Sequence, residues 1–268
     1  MPVAKTSAAK SPTGKTKSQP KPVVKASRPA KPKASKTKAA KGGYDPVAPE
    51  RVKDILNRLD QRYPNVRCAL HHNNAWELLI ATILSAQCTD VMVNKVTPGL
   101  FQKYPMPQAM AAASQEELEP ILRPTGFYRN KAKSVVGASK AIVENFGGQV
   151  PDEMDKLLTL PGVARKTANV VLGSWFGQAV GVVVDTHVHR ISRRLELTKA
   201  DDPKTIEQDL MKVIPQPKWI DFSHQIIHHG RALCIARRPK CAECPLENIC
   251  HAADKTWSTV EIHKAAQP

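Results

Sequence analysis

The chain has no apolar run near the ~18–20 residues that a membrane-spanning helix needs; its longest, about Ala179–Val184, is far shorter. No apolar stretch follows the Lys-rich N-terminus, so a secretory signal peptide is not expected. Cysteine is sparse, six in 268 residues, which argues against a secreted disulfide scaffold and for thiols kept for metal or redox chemistry. Acid is missing altogether from residues 1–43, and no repeat of fixed period is present. A soluble protein without a membrane partner is expected.

What is present is positive charge. Forty Lys and Arg face 24 Asp and Glu, a formal net charge of +16, while a hydrophobic content of 41% suffices for a packed core. Residues 1–43 hold eleven Lys and one Arg, +12, so the remainder carries 28 − 24 = +4. With six Pro, nine Ser or Thr and little that is apolar, this segment is predicted to be a disordered basic tail attracted to polyanions. A solubilising tail is the plainer alternative, and mitochondrial targeting fits less well because Arg and amphipathic periodicity are lacking. Gly14-Lys15-Thr16 imitates the end of a phosphate-binding loop, but Ala9 occupies the place of the required earlier glycine.

From Tyr44 onward the period is helical. Apolar residues recur at three and four in Val52-Ile55-Leu56-Leu59, Val135-Val136-Ile142 and Ile206-Leu210-Val213. Breaks are predicted at Tyr63-Pro64, Thr97-Pro98-Gly99, Arg123–Gly126, Gly147-Gly148 and Pro215–Pro217. Ser114 with Glu117, and Asp202-Pro203, are helix-start signals. Only Val180–Val184 reads as a strand. The expectation is an all-α body of roughly ten short helices.

Three segments carry chemistry. Cys234, Cys241, Cys244 and Cys250 lie at 6-2-5 spacing; four soft thiolates without histidine suit Zn²⁺ or a [4Fe–4S] cluster, and the spacing favours iron and sulfur. The loop between the first two holds Arg237, Arg238 and Lys240, suited to a phosphate backbone. Cys68 and Cys88 fall outside the pattern and read as ordinary buried thiols.

Leu160–Ala168 predicts one helix ending (Met154–Leu158), a Pro161-Gly162 turn, and a second helix beginning near Ala164. The N–H groups of such a hairpin, at Gly162, Val163 and Ala164, can hold one phosphate. Arg165 and Lys166 stand in the first turn, where the helix dipole disfavours cations. The dipole and Arg165 together favour a free Lys166 amine able to form a Schiff base; alternatively both residues are simply phosphate contacts. In Gly181–Arg190 an apolar run delivers Asp185 to a helix start, as an N-cap, or as a carboxylate exchanging protons near Lys166. His187 and His189 are two apart and form no metal pair; His228 and His229 are ranked with them as packing or phosphate contacts.

Taken together these residues resemble the endonuclease III branch of helix–hairpin–helix DNA glycosylases, from about residue 50 to 252, including Leu84–Asp90 and Gly126-Phe127-Tyr128. The resemblance implies two helical domains flanking a DNA-binding cleft. One is a six-helix, barrel-like unit (67–178) holding the hairpin; the other is a four-helix iron–sulfur unit built from both chain ends (44–66 and 179–268). It implies removal of oxidised pyrimidines from double-stranded DNA, followed by a nick at the abasic site. By position Lys166 resembles the nucleophile and Asp185 the catalytic carboxylate. Gln87 resembles the residue that fills the gap left by the extruded base, and Phe127 lies in the wedging loop. Ser85 and Asp90 fall beside the lesion pocket. A monomer in the bacterial cytoplasm or nucleoid is expected, a nuclear location being the alternative. An adenine-specific mismatch glycosylase lacks the lysine and carries a long C-terminal domain, whereas eighteen residues follow Cys250 here. A non-catalytic iron–sulfur DNA-binding module is the other alternative. Two departures stand out. Ala164 replaces a family glycine, costing ~1–2 kcal/mol only if φ there is positive. Cys88 replaces a residue usually Ala, which puts the substrate range in question.

Overall fold

The computed structural model describes residues 44–256, which belong to one compact unit; the basic tail and Gly14-Lys15-Thr16 lie outside the described residues. The fold is all-α, as expected. Eleven α-helices follow in order: α1 (Pro49–Arg62), α2 (Ala75–Leu84), α3 (Asp90–Lys103), α4 (Pro107–Ala112), α5 (Gln115–Leu122), α6 (Tyr128–Phe146), α7 (Met154–Leu157), α8 (Arg165–Ser174), α9 (Thr186–Arg194), α10 (Pro203–Val213) and α11 (Trp219–Ala232). Among the described residues none is long and apolar enough to cross a membrane.

Local signals place most boundaries. Ser114 and Glu117 form a full capping box at α5. Asp202 caps α10 by accepting from Thr205 N at 2.9 Å, with Pro203 at the first helical position. At the end of α6, Gly147 takes φ 59° and Gly148 N–H reaches back to Ile142 O at 3.0 Å, so the paired glycines stop the helix with left-handed geometry.

Two expectations need correction. Helix α3 runs straight through Thr97-Pro98-Gly99 instead of breaking there. Proline within a helix costs ~3 kcal/mol; here Val93, Thr97 and Leu100, buried on both sides of it, hold the helix against the core. Burial of each large apolar chain returns about 1.5–3 kcal/mol. Val180–Val184 is not a strand, since the described residues contain none. It is coil, bent at Val180 and Gly181, with Val182–Val184 buried, and Val183 N–H bonds Ser223 Oγ at 3.0 Å rather than a neighbouring strand.

The apolar residues separate into two cores. Leu70 and helices α2–α8 build the first, around Leu78, Leu79, Leu100, Leu118 and Ile142. Helix α2 is buried along nearly its whole length, the signature of a central helix. The second core joins the start of the described chain to its end: α1 packs on α11, α9 packs on α11, and Val182, Val184 and Leu246 complete it. The connection from α8 to α9 passes from one core to the other, and the chemistry-bearing residues gather there.

Candidate functional site

The hairpin between α7 and α8 is built on one glycine. Gly162 has φ 76°, and a Cβ there would stand 2.6 Å from Ser134 Cβ. Val163 N–H closes the turn on Leu160 O at 3.1 Å, with Pro161 and Gly162 in the order a type II turn prefers. Ala164, the N-cap of α8, has φ −102° and ψ 171°. That is ordinary extended backbone, so its departure from glycine costs no strain, and no side chain caps the helix. Pro161, Gly162 and Ala164 are exposed while Leu160 and Val163 on either side of the Pro-Gly pair are buried, so the tip of the turn faces outward.

Arg165 behaves differently from a free phosphate contact. Its guanidinium forks onto Glu207 (Nε–Oε2 2.7 Å, Nη2–Oε1 3.1 Å), and Asn169 Nδ2 donates to the same Oε1 at 2.8 Å. This bond holds Arg165 above its usual pKa. The carboxylate of Glu207 also lies against Gly181, where a Cβ would collide with it. Glu207 thus ties helix α8 to the segment leading to Asp185. The expected repulsion of Lys166 by Arg165 is correspondingly compensated.

Lys166, one residue on, is exposed and makes no hydrogen bond or ion pair with the described residues. It lines a cleft between the cores together with Asp185, Ser85, Asp90, His228 and Arg231. Asp185 is the N-cap of α9, accepting from His187 N and Val188 N at 2.8 Å each. Both bonds fall on Oδ1, leaving Oδ2 without a hydrogen bond among the described residues; the capping and chemical readings of Asp185 are therefore compatible. Asp90 pairs with Arg231, and Ser85 Oγ donates to Thr82 O at 2.8 Å.

Gln87 and Phe127 line a second groove, beside Gly162. Both are non-glycine residues in the left-handed region (φ 51° and 47°), and Phe127 is 63% exposed. Strained backbone carrying an exposed aromatic ring is characteristic of binding sites. Lys131, which the sequence reading passed over, lies in the same groove, buried, donating Nζ to Thr125 O at 2.7 Å; burial lowers its pKa. Its position in the helix after Gly126-Phe127 carried no distinguishing signal.

Cys234, Cys241, Cys244 and Cys250 surround one small cavity. Burial raises the thiols of Cys234 and Cys250 and pushes Cys244 up to about 12, so these are neutral thiols until a metal takes their protons. Among the described residues no three His, Cys, Asp or Glu side chains converge on a single ion. Four thiols, with no histidine lining their shared cavity, fit a four-iron cluster with one thiolate for each iron. Arg194 Nη1 donates to Cys234 Sγ at 3.2 Å, and His229 Nε2 lies 3.5 Å from Cys244 Sγ. Arg237, Arg238 and Lys240 are exposed on the loop between the first two cysteines. Cys68 and Cys88 pack against the first core.

The family described as HhH-GPD superfamily base excision DNA repair proteins matches residues 80–216, and the iron–sulfur binding domain of endonuclease III matches residues 234–250. Endonuclease III of Synechocystis sp. is 57% identical over 204 residues, covering 76% of this chain and 93% of that protein. The Bacillus subtilis endonuclease III is 44% identical, covering 77% and 94%, and that of Escherichia coli 38%, covering 75% and 95%. Among solved structures, a trapped endonuclease III–DNA covalent intermediate superposes with a TM-score of 0.73 at 42% identity, covering 76% of this chain and 96% of that one. A thermostable thymine-DNA glycosylase, at 22% identity and a TM-score of 0.68, shares the fold.

Proposed function

The chain belongs to the endonuclease III family of base excision DNA repair proteins, DNA glycosylases with AP lyase activity that carry a [4Fe–4S] cluster, and on that premise we propose that it excises oxidised pyrimidines from double-stranded DNA through Lys166. A base inside the duplex shields its sugar, so the nucleotide must be turned out of the stack. The Lys166 amine forms a bond to C1′ as the C1′–N bond to the damaged base breaks, the base leaving with the electron pair and taking a proton. Opening of the sugar ring gives an iminium, which acidifies the C2′ proton. Loss of that proton forms a C2′–C3′ double bond and expels the 3′ phosphate. Asp185, through Oδ2, moves protons to and from Lys166 and the sugar. The observation carrying this reading is the shared cleft: an uncommitted lysine and a carboxylate with one uncommitted oxygen, drawn from the two sides of the α8–α9 connection.

The remaining predicted residues take supporting roles. The hairpin N–H groups at Gly162, Val163 and Ala164 hold a phosphate. Gln87 fills the gap left by the everted nucleotide, and Phe127 wedges beside it. Arg237, Arg238 and Lys240 dock on the backbone, a sequence-independent contact. Arg165 acts through Glu207, positioning the helix that carries Lys166. The four cysteines hold the cluster, which supplies a cross-link that fixes the basic loop; every step on the sugar uses protein side chains alone. The separation of the apolar residues into two cores supports a division into one domain of 67–178 and another of 44–66 with 179–268, the latter described as far as residue 256. The protein works as a monomer on DNA in the bacterial cytoplasm or nucleoid, its basic tail adding sequence-independent attraction.

Borohydride reduction tests this. Wild-type protein incubated with a duplex containing an oxidised pyrimidine is expected to give a covalent protein–DNA adduct, and Lys166→Ala none. An undiminished adduct from Lys166→Ala would overturn the assignment.

A further inference from the structure

Helix α11 presents His224, Ile227, His228 and Arg231 to the cleft, at the spacings of three and four that place residues on one helical stripe. Its opposite side, with Phe222 and Ile226, is buried in the second core. The adjacent histidines, about 100° apart around the helix, therefore meet different surroundings. His229 turns to the cysteine cavity, with Tyr63 Oη 3.1 Å from Nδ1 and Cys244 Sγ 3.5 Å from Nε2. His228 lines the cleft with Lys166 and Asp185.

The other polar groups of that stripe are committed: Arg231 to Asp90, and His224 Nε2 to Ser174 Oγ at 3.1 Å. His228 Nε2 is buried with no hydrogen-bond partner among the described residues. A buried polar nitrogen without a partner costs about 1–3 kcal/mol, so in a cleft that takes a ligand a bond to that ligand is one way to offset the cost. An everted pyrimidine carries ring N–H groups and carbonyl oxygens on its Watson–Crick edge, the edge that base-flipping enzymes read. Imidazole can meet either, accepting from an N–H or donating to a carbonyl according to its tautomer.

We infer that His228 is a base-reading residue, whose Nε2 hydrogen-bonds the damaged pyrimidine once it enters the cleft beside Lys166. This rests on the proposed excision of oxidised pyrimidines. It separates two activities of one site: reading the base matters for excision, and has nothing to act on at a site that has already lost its base.

Single-turnover rates on two duplexes test it, one bearing an oxidised pyrimidine and the other a preformed abasic site. His228→Leu is expected to slow excision about tenfold, the loss of one hydrogen bond, and to slow strand cleavage at the abasic site by far less. His228→Gln, which keeps a side-chain amide near the position of Nε2, is expected to recover part of the excision rate. Equal loss on both duplexes would make His228 a structural residue and overturn the inference, as would unchanged excision by His228→Leu. If the wild type cleaves abasic sites but excises no oxidised pyrimidine, the lesion assignment fails and this inference with it.

Discussion

At Gly162 one hydrogen atom in place of a methyl group decides whether the hairpin closes. The residue needs φ 76°, and Ser134 sits where a Cβ would go. Gly162→Ala is expected to destabilise the protein by about 1–3 kcal/mol, from left-handed strain and the shift forced on Ser134. It should also weaken binding to abasic-site DNA, as measured by anisotropy alongside the melting temperature. Unchanged stability and affinity would mean the turn tolerates a side chain. This requirement was legible in Leu160-Pro161-Gly162, because a Pro-Gly pair between helical periods has few other readings. The harmlessness of Ala164 was not legible: its φ of −102° depends on where the helix begins relative to the turn. Nor could the sequence reveal that Arg165 pairs with Glu207, forty-two residues away.

At the scale of elements, local chemistry was readable wherever it was strong. The Ser114–Glu117 capping box satisfies two N–H groups that the first turn of α5 leaves open. Ser114→Ala is expected to cost about 1 kcal/mol, read as a shift of the chemical denaturation midpoint with unchanged slope; no shift would mean the box is redundant with packing of Leu118 and Leu122. Where local and tertiary preferences disagreed, packing prevailed. Pro98 carries a strong break signal, yet α3 persists because buried residues flank it. Val180–Val184 has strand composition, yet an isolated strand has no partner and the segment stays coil. The histidines of α11 show a finer limit. Periodicity puts His228 with His224 and Arg231, but only packing tells which stripe meets the cleft and which meets the cysteines.

Across the whole molecule, two cores are held in register by a few polar ties. Glu207 of α10 accepts from Arg165 and Asn169 of α8 and packs on Gly181. Asp90 of α3 pairs with Arg231 of α11. Glu207→Ala leaves the Asn169 amide without its acceptor and frees Arg165, which is half-exposed and can regain water. A loss of about 1–3 kcal/mol is expected, with slower borohydride trapping because the helix of Lys166 loses its tie to the segment of Asp185. Thermal melting and trapping rate check this; a stability loss with undisturbed trapping would show that Glu207 does not position the site. The burial of Glu207, one residue from Ile206 in α10, appears only in the tertiary structure.

The amino-acid sequence alone determined what depends on neighbours within a few residues: helical period, caps, the Pro-Gly turn, and the 6-2-5 thiol spacing that favours iron and sulfur over zinc. The tertiary structure alone decided which distant groups share one cleft, which charges are already neutralised, and which buried nitrogen is left without a partner. Those outcomes depend on how two cores meet, and contacts between residues far apart in the chain leave no periodic trace in it.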